Sequence, residues 1–307
     1  MSHHHHHHHA HNHTPTNNYN HAFVIGTALN VGFVLIEALF GFFTQSLALL
    51  ADAGHNLSDV LGLLLAWGAM FLAQRPPTKR FTYGLRRSSI LAALLNSIIL
   101  LLAMGGIAWE AIRRFNDPSP VPGITIIWVA TVGVVINTVT ALLFMSGRKR
   151  DLNIQGAFLH MAADALVSVG VVLAGIGILV TDWLWFDPVV SLIIVFVVVV
   201  GTWQLLKDSL NLALDAVPGH IEPLAVQTYL AELPGVAQVH DLHIWGMSTT
   251  ETALTAHLVI PTDFEGDDFL VRVSEELHDK FGIEHTTLQI ETGDSRSPCS
   301  LAPEDVV

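Results

Sequence analysis

The sequence predicts a polytopic α-helical membrane protein: six transmembrane helices followed by a C-terminal α+β cytoplasmic domain of order α-β-β-α-β. Three observations carry this prediction. Of the 307 residues 51% are hydrophobic and only 13% charged, with a mean hydropathy of +0.50, far from a soluble domain at roughly a quarter charged. Apolar runs near the roughly 20 residues needed to cross a bilayer recur six times, at 22–43, 47–73, 88–112, 123–145, 155–180 and 188–206. After Lys207 the hydropathy becomes ordinary and short helical and alternating patterns take over.

In chain order, residues 1–20 form a low-complexity, His-rich tail with a run from His3 to His9, then His11 and His13. Two readings stand for it: a purification tag, or a natural metal-collecting segment of the kind His-rich tracts form. Residues 21–207 are the expected transmembrane domain. Six spans return the chain to its starting side, and the basic residues indicate which side that is. Arg75, Lys79, Arg80, Arg86 and Arg87 fall between spans two and three, and Arg148, Lys149 and Arg150 between four and five. The positive-inside rule makes those loops cytoplasmic, and both termini with them. Arg113 and Arg114 fall on the far side and count against the rule. Trp183 and Trp185, in an outer connection without basic residues, suit a membrane interface. No secretory signal precedes the first span.

Residues 208–292 form the expected cytoplasmic domain, with a helix at 222–233, strands at 236–245 and 252–260, a helix at 266–281 and a strand at 285–291. At about 80 residues it is near the lower limit for independent stability, and dimerisation would help it. A flexible tail, 293–307, follows. Most of the net charge of −13 arises after Lys207, and so acidic a surface argues against nucleic acid as a partner. The lone Cys299 rules out an intramolecular disulfide framework and a Cys-rich zinc finger.

Charge inside the spans is the functional signal. Ionisable side chains in hydrocarbon cost several kcal/mol unless paired, hydrated or metal-bound. In LLADAGHNLSDVLG the second span carries His55 and Asp59 four apart, on one helical face, and the fifth repeats the spacing with His160 and Asp164. Two facing helices would converge two imidazoles and two carboxylates, a ligand set suited to a tetrahedral divalent metal, zinc first. With the ion the site is neutral; without it two carboxylates in low dielectric tend to take up protons, so metal and protons compete. The plain alternative is two intrahelical hydrogen-bonded pairs. Asp52, one turn before His55, is either a further ligand or part of a water-filled approach, and Glu37 either pairs with a neighbour such as Asn30 or contacts metal. In the cytoplasmic domain a second cluster gathers His240, Asp241 and His243 on one strand, His257 on the next, and Glu284, His285 and Glu291 near the last. Strand alternation sends His240 and His243 to opposite faces, so at most one of them joins His257.

The stretches SLALLADAGHNLSD, RPPTKRFTYGLRR, the H-x-x-x-D of the fifth span, HDLHIWGMS, LTAHLVI and EHTTLQIE together resemble the cation diffusion facilitator family, in its zinc-transporting branch, from about residue 21 to 291. The resemblance implies a homodimer of six spans with a metallochaperone-like cytoplasmic domain, acting as a zinc/proton antiporter, with cobalt often accepted, rather than an enzyme. It places the transport site on His55, Asp59, His160 and Asp164. The cytoplasmic regulatory site falls on His240, His257 and Glu291, with His285, His11 or His13 as additional candidates. Arg87 and Asp215 fall where an interlock between the membrane and cytoplasmic parts would form. The loop from Arg75 to Arg87 lacks the Asp and His of a further site found in some members, and Cys299 stands alone where others carry a cysteine pair. A bacterial plasma membrane is the expected location. From other functional classes, a non-translocating metal sensor and an intramembrane metalloenzyme are the alternatives, the latter lacking an H-E-x-x-H.

Overall fold

The computed structural model describes residues 17–73, 75–117, 120–145, 152–261, 266–293 and 299; the side chains of some helical residues, Asp59 among them, lie outside the description. His11, His13 and the basic run 148–150 also lie outside the described residues. Six long helices occupy the expected spans: α1 (Asn17–Thr44), α2 (Leu47–Ala73), α3 (Ser88–Arg114), α4 (Gly123–Met145), α5 (Leu152–Thr181) and α6 (Phe186–Ala213). Among the described residues, Ser88–Arg114, Gly123–Leu143, Phe158–Thr181 and Phe186–Ala213 are long and apolar enough to cross a membrane. α6 runs two turns beyond the expected end because its last part is a polar stem, on which Gln204 Nε2 donates to Asp208 Oδ1 at 2.9 Å.

The chain forms two compact units, one built on residues up to Val60 with Ala103–Val198, the other on Leu61–Leu102 and the chain from Val199 on. In the first, polarity is inverted relative to a soluble protein. Leu166 and Phe196 stand exposed while Glu37, Asp52, Asn137, Asp164 and Ser168 are buried, as a hydrocarbon solvent requires. Small residues bring α4 and α5 together: a Cβ on Gly123 would lie 2.9 Å from the Gly175 carbonyl oxygen. At the start of α2, the buried carboxylate of Asp187 accepts from Ser46 Oγ (2.5 Å) and from the backbone N–H of Leu47 (2.8 Å) and Ala48 (3.2 Å). Arg114 Nη1 lies 3.8 Å from the same carboxylate and donates to the Gln45 carbonyl. Arg114 is thus a buried partner of Asp187 and of Glu110, whose Oε1 lies 3.3 Å from its Nε.

In the second unit, α7 (Pro223–Ala231), β1 (Gln238–Gly246), β2 (Thr252–Val259), α8 (Asp267–Phe281) and β3 (His285–Glu291) follow in the predicted order. β2 is central, antiparallel to β1 and parallel to β3; the parallel pair requires a crossover, and α8 supplies it. Phe269, Val273 and Leu277 of α8, at i, i+4 and i+8, and Val226 and Leu230 of α7 pack on Leu254, Ala256 and Leu258 of β2. One sheet face is thus filled by helices, and polar side chains are left to the other. α8 begins with Asp267 and Asp268, ends with His278 and Lys280, and stops at Gly282 with φ 66°, matching its dipole and the left-handed cap. Between His240 and His243 the β1 register shifts by a bulge, where Asp241 has φ 50°.

Candidate metal centres

The membrane cluster lies in the first unit. α2 and α5 present His55 and His160 to each other with ring centroids 6.0 Å apart. The carboxylate of Asp164 lies between them, 3.4 Å from His55 Nε2 and 3.6 Å from His160 Nε2. Asp164 is 1% exposed, and neither of its oxygens accepts a hydrogen bond among the described residues. Zinc bonds of about 2.0–2.1 Å to nitrogen or oxygen set tetrahedral ligand atoms about 3.3–3.4 Å apart, close to both separations. The plain alternative of two isolated intrahelical pairs does not describe this cluster, because Asp164 is closer to His55 of the other helix than to His160 on its own. Asp59 sits one turn beyond His55 on α2, and its side chain lies outside the description.

Asp52 is wholly buried rather than lining a wet approach. It accepts from Ser168 Oγ of α5 at 3.0 Å and from Asn56 Nδ2 at 3.4 Å. Glu37 is wholly buried, and Asn30 Nδ2 donates to Met161 Sδ at 3.6 Å. Ser168, Asn56 and Asp52 tie α2 to α5 one turn from the ligand candidates, the kind of support that fixes ligands in place.

The second cluster lies on the open face of the sheet. His240 and His257 are directly paired across β1 and β2, and Glu291 of β3 shares their face. His240 Nε2 stands 3.5 Å from Glu291 Oε2, His257 Nδ1 stands 3.1 Å from Glu291 Oε1, and the imidazole centroids are 5.2 Å apart. Cys299 Sγ reaches His257 Nδ1 at 3.5 Å, and one donor atom from each of the four side chains falls within 4.8 Å of the others. Burial raises the Glu291 carboxyl, but hydrogen bonds from Gln289 and Cys299 and the imidazoles of His240 and His257 outweigh it and hold the group below the usual glutamate range. His240 is buried with neither ring nitrogen hydrogen-bonded among the described residues. Two imidazoles, a carboxylate and a thiol suit zinc chemically.

Two expectations are corrected here. Alternation was to send His240 and His243 to opposite faces, but the bulge inserts a residue, so the two pair with His257 and Thr255, which share a face. His243 still stays out of the cluster, bound to Asp241 Oδ1 at 2.9 Å. Cys299, set aside for want of a second cysteine, is brought to the site; nothing local in the sequence signals that. His285 begins β3, six residues from Glu291 and so about 20 Å along the strand, with its ring edge-on to Tyr83 at 5.5 Å. Arg87 and Asp215 form an exposed ion pair, and beside it Arg86 Nη1 bonds Glu251 Oε1 at 2.8 Å.

Buried histidine and carboxylate groups converge between α2 and α5, and a second cluster of metal-donor side chains lies on the sheet, arrangements that suit the binding of metal cations. The chain belongs to the cation efflux family: residues 23–212 match the cation efflux transmembrane domain and residues 218–293 the cation efflux protein cytoplasmic domain. It is 37% identical over 288 residues to a cadmium, cobalt and zinc/H(+)-K(+) antiporter of Bacillus velezensis (90% of this chain, 92% of that one). It is similar to the metal cation efflux system protein CzcD of Cupriavidus metallidurans, 37% over 279 residues (91% and 87%), and to the zinc transporter ZitB of Escherichia coli, 36% over 290 residues (94% and 92%). It is a multi-pass divalent metal cation efflux protein with a cytoplasmic C-terminal domain.

Proposed function

We propose that this chain exports zinc from the cytoplasm in exchange for protons, with His55 and Asp59 of α2 and His160 and Asp164 of α5 as ligands of the transported ion. The observation that carries the reading is the buried Asp164 carboxylate between imidazoles of two helices, at separations a tetrahedral zinc would impose. The relatives named as zinc transporters and proton-coupled antiporters support it. With the ion, two carboxylates and a divalent cation sum to zero charge; without it the same groups favour protons, so each metal released is matched by proton uptake. Alternating access then carries metal one way and protons the other, and cobalt is accepted as a second substrate. The protein works as a homodimer in a bacterial plasma membrane with both termini cytoplasmic, its membrane domain covering 21–207 and its regulatory domain 208–292.

His240, His257 and Glu291, with Cys299 as fourth donor, form the regulatory zinc site, which biases the dimer toward a transport-competent state through differential affinity. Arg87 and Asp215 link the loop after α2 to the chain after α6.

The test is zinc flux in proteoliposomes under an imposed pH gradient, with lumenal pH followed alongside. Zinc movement opposed by protons is expected, and Asp164→Ala or Asp59→Ala should abolish it. Undiminished transport by both variants would overturn the ligand assignment; zinc binding without flux would make the protein a sensor using the same residues.

A further inference from the structure

Asp241 is not among the four converging donors, yet it sits directly behind one of them. His257 turns Nδ1 toward Glu291 and Cys299, while its opposite nitrogen, Nε2, lies 3.3 Å from Asp241 Oδ2. The other Asp241 oxygen is 2.9 Å from His243 Nε2. The carboxylate is only 12% exposed, as is the His257 side chain. It reaches this position because the β1 bulge puts Asp241 at φ 50°, a left-handed conformation that Asp tolerates better than most residues, and bulges serve to re-aim side chains beside functional sites.

A neutral imidazole carries one N–H and one lone pair. Both ring nitrogens face a carboxylate, Glu291 at Nδ1 and Asp241 at Nε2; once a metal takes the Nδ1 lone pair the proton must sit on Nε2, and Asp241 is the acceptor that favours that tautomer. A carboxylate behind a ligating histidine also fixes its ring orientation and raises its basicity. We infer that Asp241 is a positioning residue of the cytoplasmic site, setting the tautomer and orientation of His257 so that Nδ1 faces the metal. The inference rests on the reading of this cluster as a zinc site. His243 occupies the remaining carboxylate oxygen and so keeps Asp241 from rotating away.

Two substitutions tolerate the positive φ and separate the possibilities. Asp241→Gly removes the acceptor; Asp241→Asn keeps an amide oxygen that still accepts from Nε2–H. The purified full-length protein is titrated with cobalt, following the thiolate-to-cobalt charge-transfer band. Only the cluster containing Cys299, the sole cysteine, gives that band, so the membrane site does not interfere. Asp241→Gly should raise the titration midpoint about tenfold to a hundredfold, and Asp241→Asn should stay near the unsubstituted protein. In zinc-loaded, 15N-histidine-labelled protein, the His257 proton should sit on Nε2 and exchange with water faster in the Gly form than in the native and Asn forms. No thiolate band in the native protein would overturn the metal-site reading, and the role of Asp241 with it. A band whose midpoint is the same in Asp241→Gly, an Asn form as weak as the Gly form, or an Nε2 proton that exchanges as fast in the native protein as in the Gly form would overturn the role of Asp241 alone.

Discussion

Replacing Asp187 by alanine strips the acceptor from three donors at the start of α2 and leaves the Arg114 guanidinium, 10% exposed, with Glu110 at 3.3 Å as its remaining carboxylate. An orphaned buried donor costs about 1–3 kcal/mol, and breaking a buried ion pair from one side costs about 3–5 kcal/mol. The two figures do not add in full, since Ser46 can turn its hydroxyl elsewhere and Glu110 keeps Arg114 from being an unpaired cation. The expected destabilisation is therefore about 3–5 kcal/mol, or roughly 6–20 °C in the unfolding midpoint of a domain this size. Asp187→Asn keeps one acceptor and the shape and should cost about 1–2 kcal/mol. Adding Arg114→Met to Asp187→Ala removes a cation left with Glu110 alone and should recover about 1 kcal/mol. The assay is thermal unfolding of detergent-solubilised protein as a double-mutant cycle. A midpoint for Asp187→Ala within about 2 °C of native, or strictly additive losses in the double variant, would refute the reasoning, because coupling between close partners is its content.

Three further outcomes follow from single contacts. Tyr229 donates to Glu276 Oε2 at 3.1 Å, and burial with that acidic partner pushes its phenol up to about 12. Its contribution to stability is intact below the ordinary tyrosine value of 10.0 and lost as pH rises toward about 12, so a spectrophotometric titration should find one of three tyrosines ionising late; three ordinary phenols would contradict this. Gly175→Ala sets a Cβ 2.8 Å from Ile127 Cγ1 and 3.1 Å from the Gly123 carbonyl, whereas a Cβ at Gly170 meets nothing within 4 Å; unfolding assays should show a loss of about 1–3 kcal/mol for the first and none for Gly170→Ala. Glu251→Ala breaks the bond to Arg86, but the two side chains are 34% and 39% exposed, so the same assay should register under about 1 kcal/mol.

What could be read from the sequence and what could not divide along physical lines. Helix and strand order followed from periodicity because burial on one face imposes it: Phe269, Val273 and Leu277 are spaced for a helix, and Leu254, Ala256 and Leu258 for a strand. His55, His160 and Asp164 stood out because charge in an apolar run needs a reason. Asp187 gave no such signal. It sits in a polar outer connection where a carboxylate looks solvated, and its burial depends on Ser46 and Arg114, each more than 70 residues away in sequence. Cys299 was invisible for a related reason, since the seven residues between it and Glu291 carry no pattern that fixes its direction.

The β1 bulge marks a different limit. Alternation along a strand holds only while each residue faces one partner, and one inserted residue reverses the parity of everything beyond it. His240 and His243 therefore share a face despite their spacing of three, and Asp241 can stand behind His257 instead of beside it. The residue at φ 50° being an aspartate is consistent with a bulge but does not announce one, because aspartate is also common in regular polar strand edges and turns. Pairing and face alone left His240 and His243 as alternatives beside His257, and the set His240, His257 and Glu291 came from the family resemblance. The support behind it depends on a local backbone departure, and only the structure supplies that.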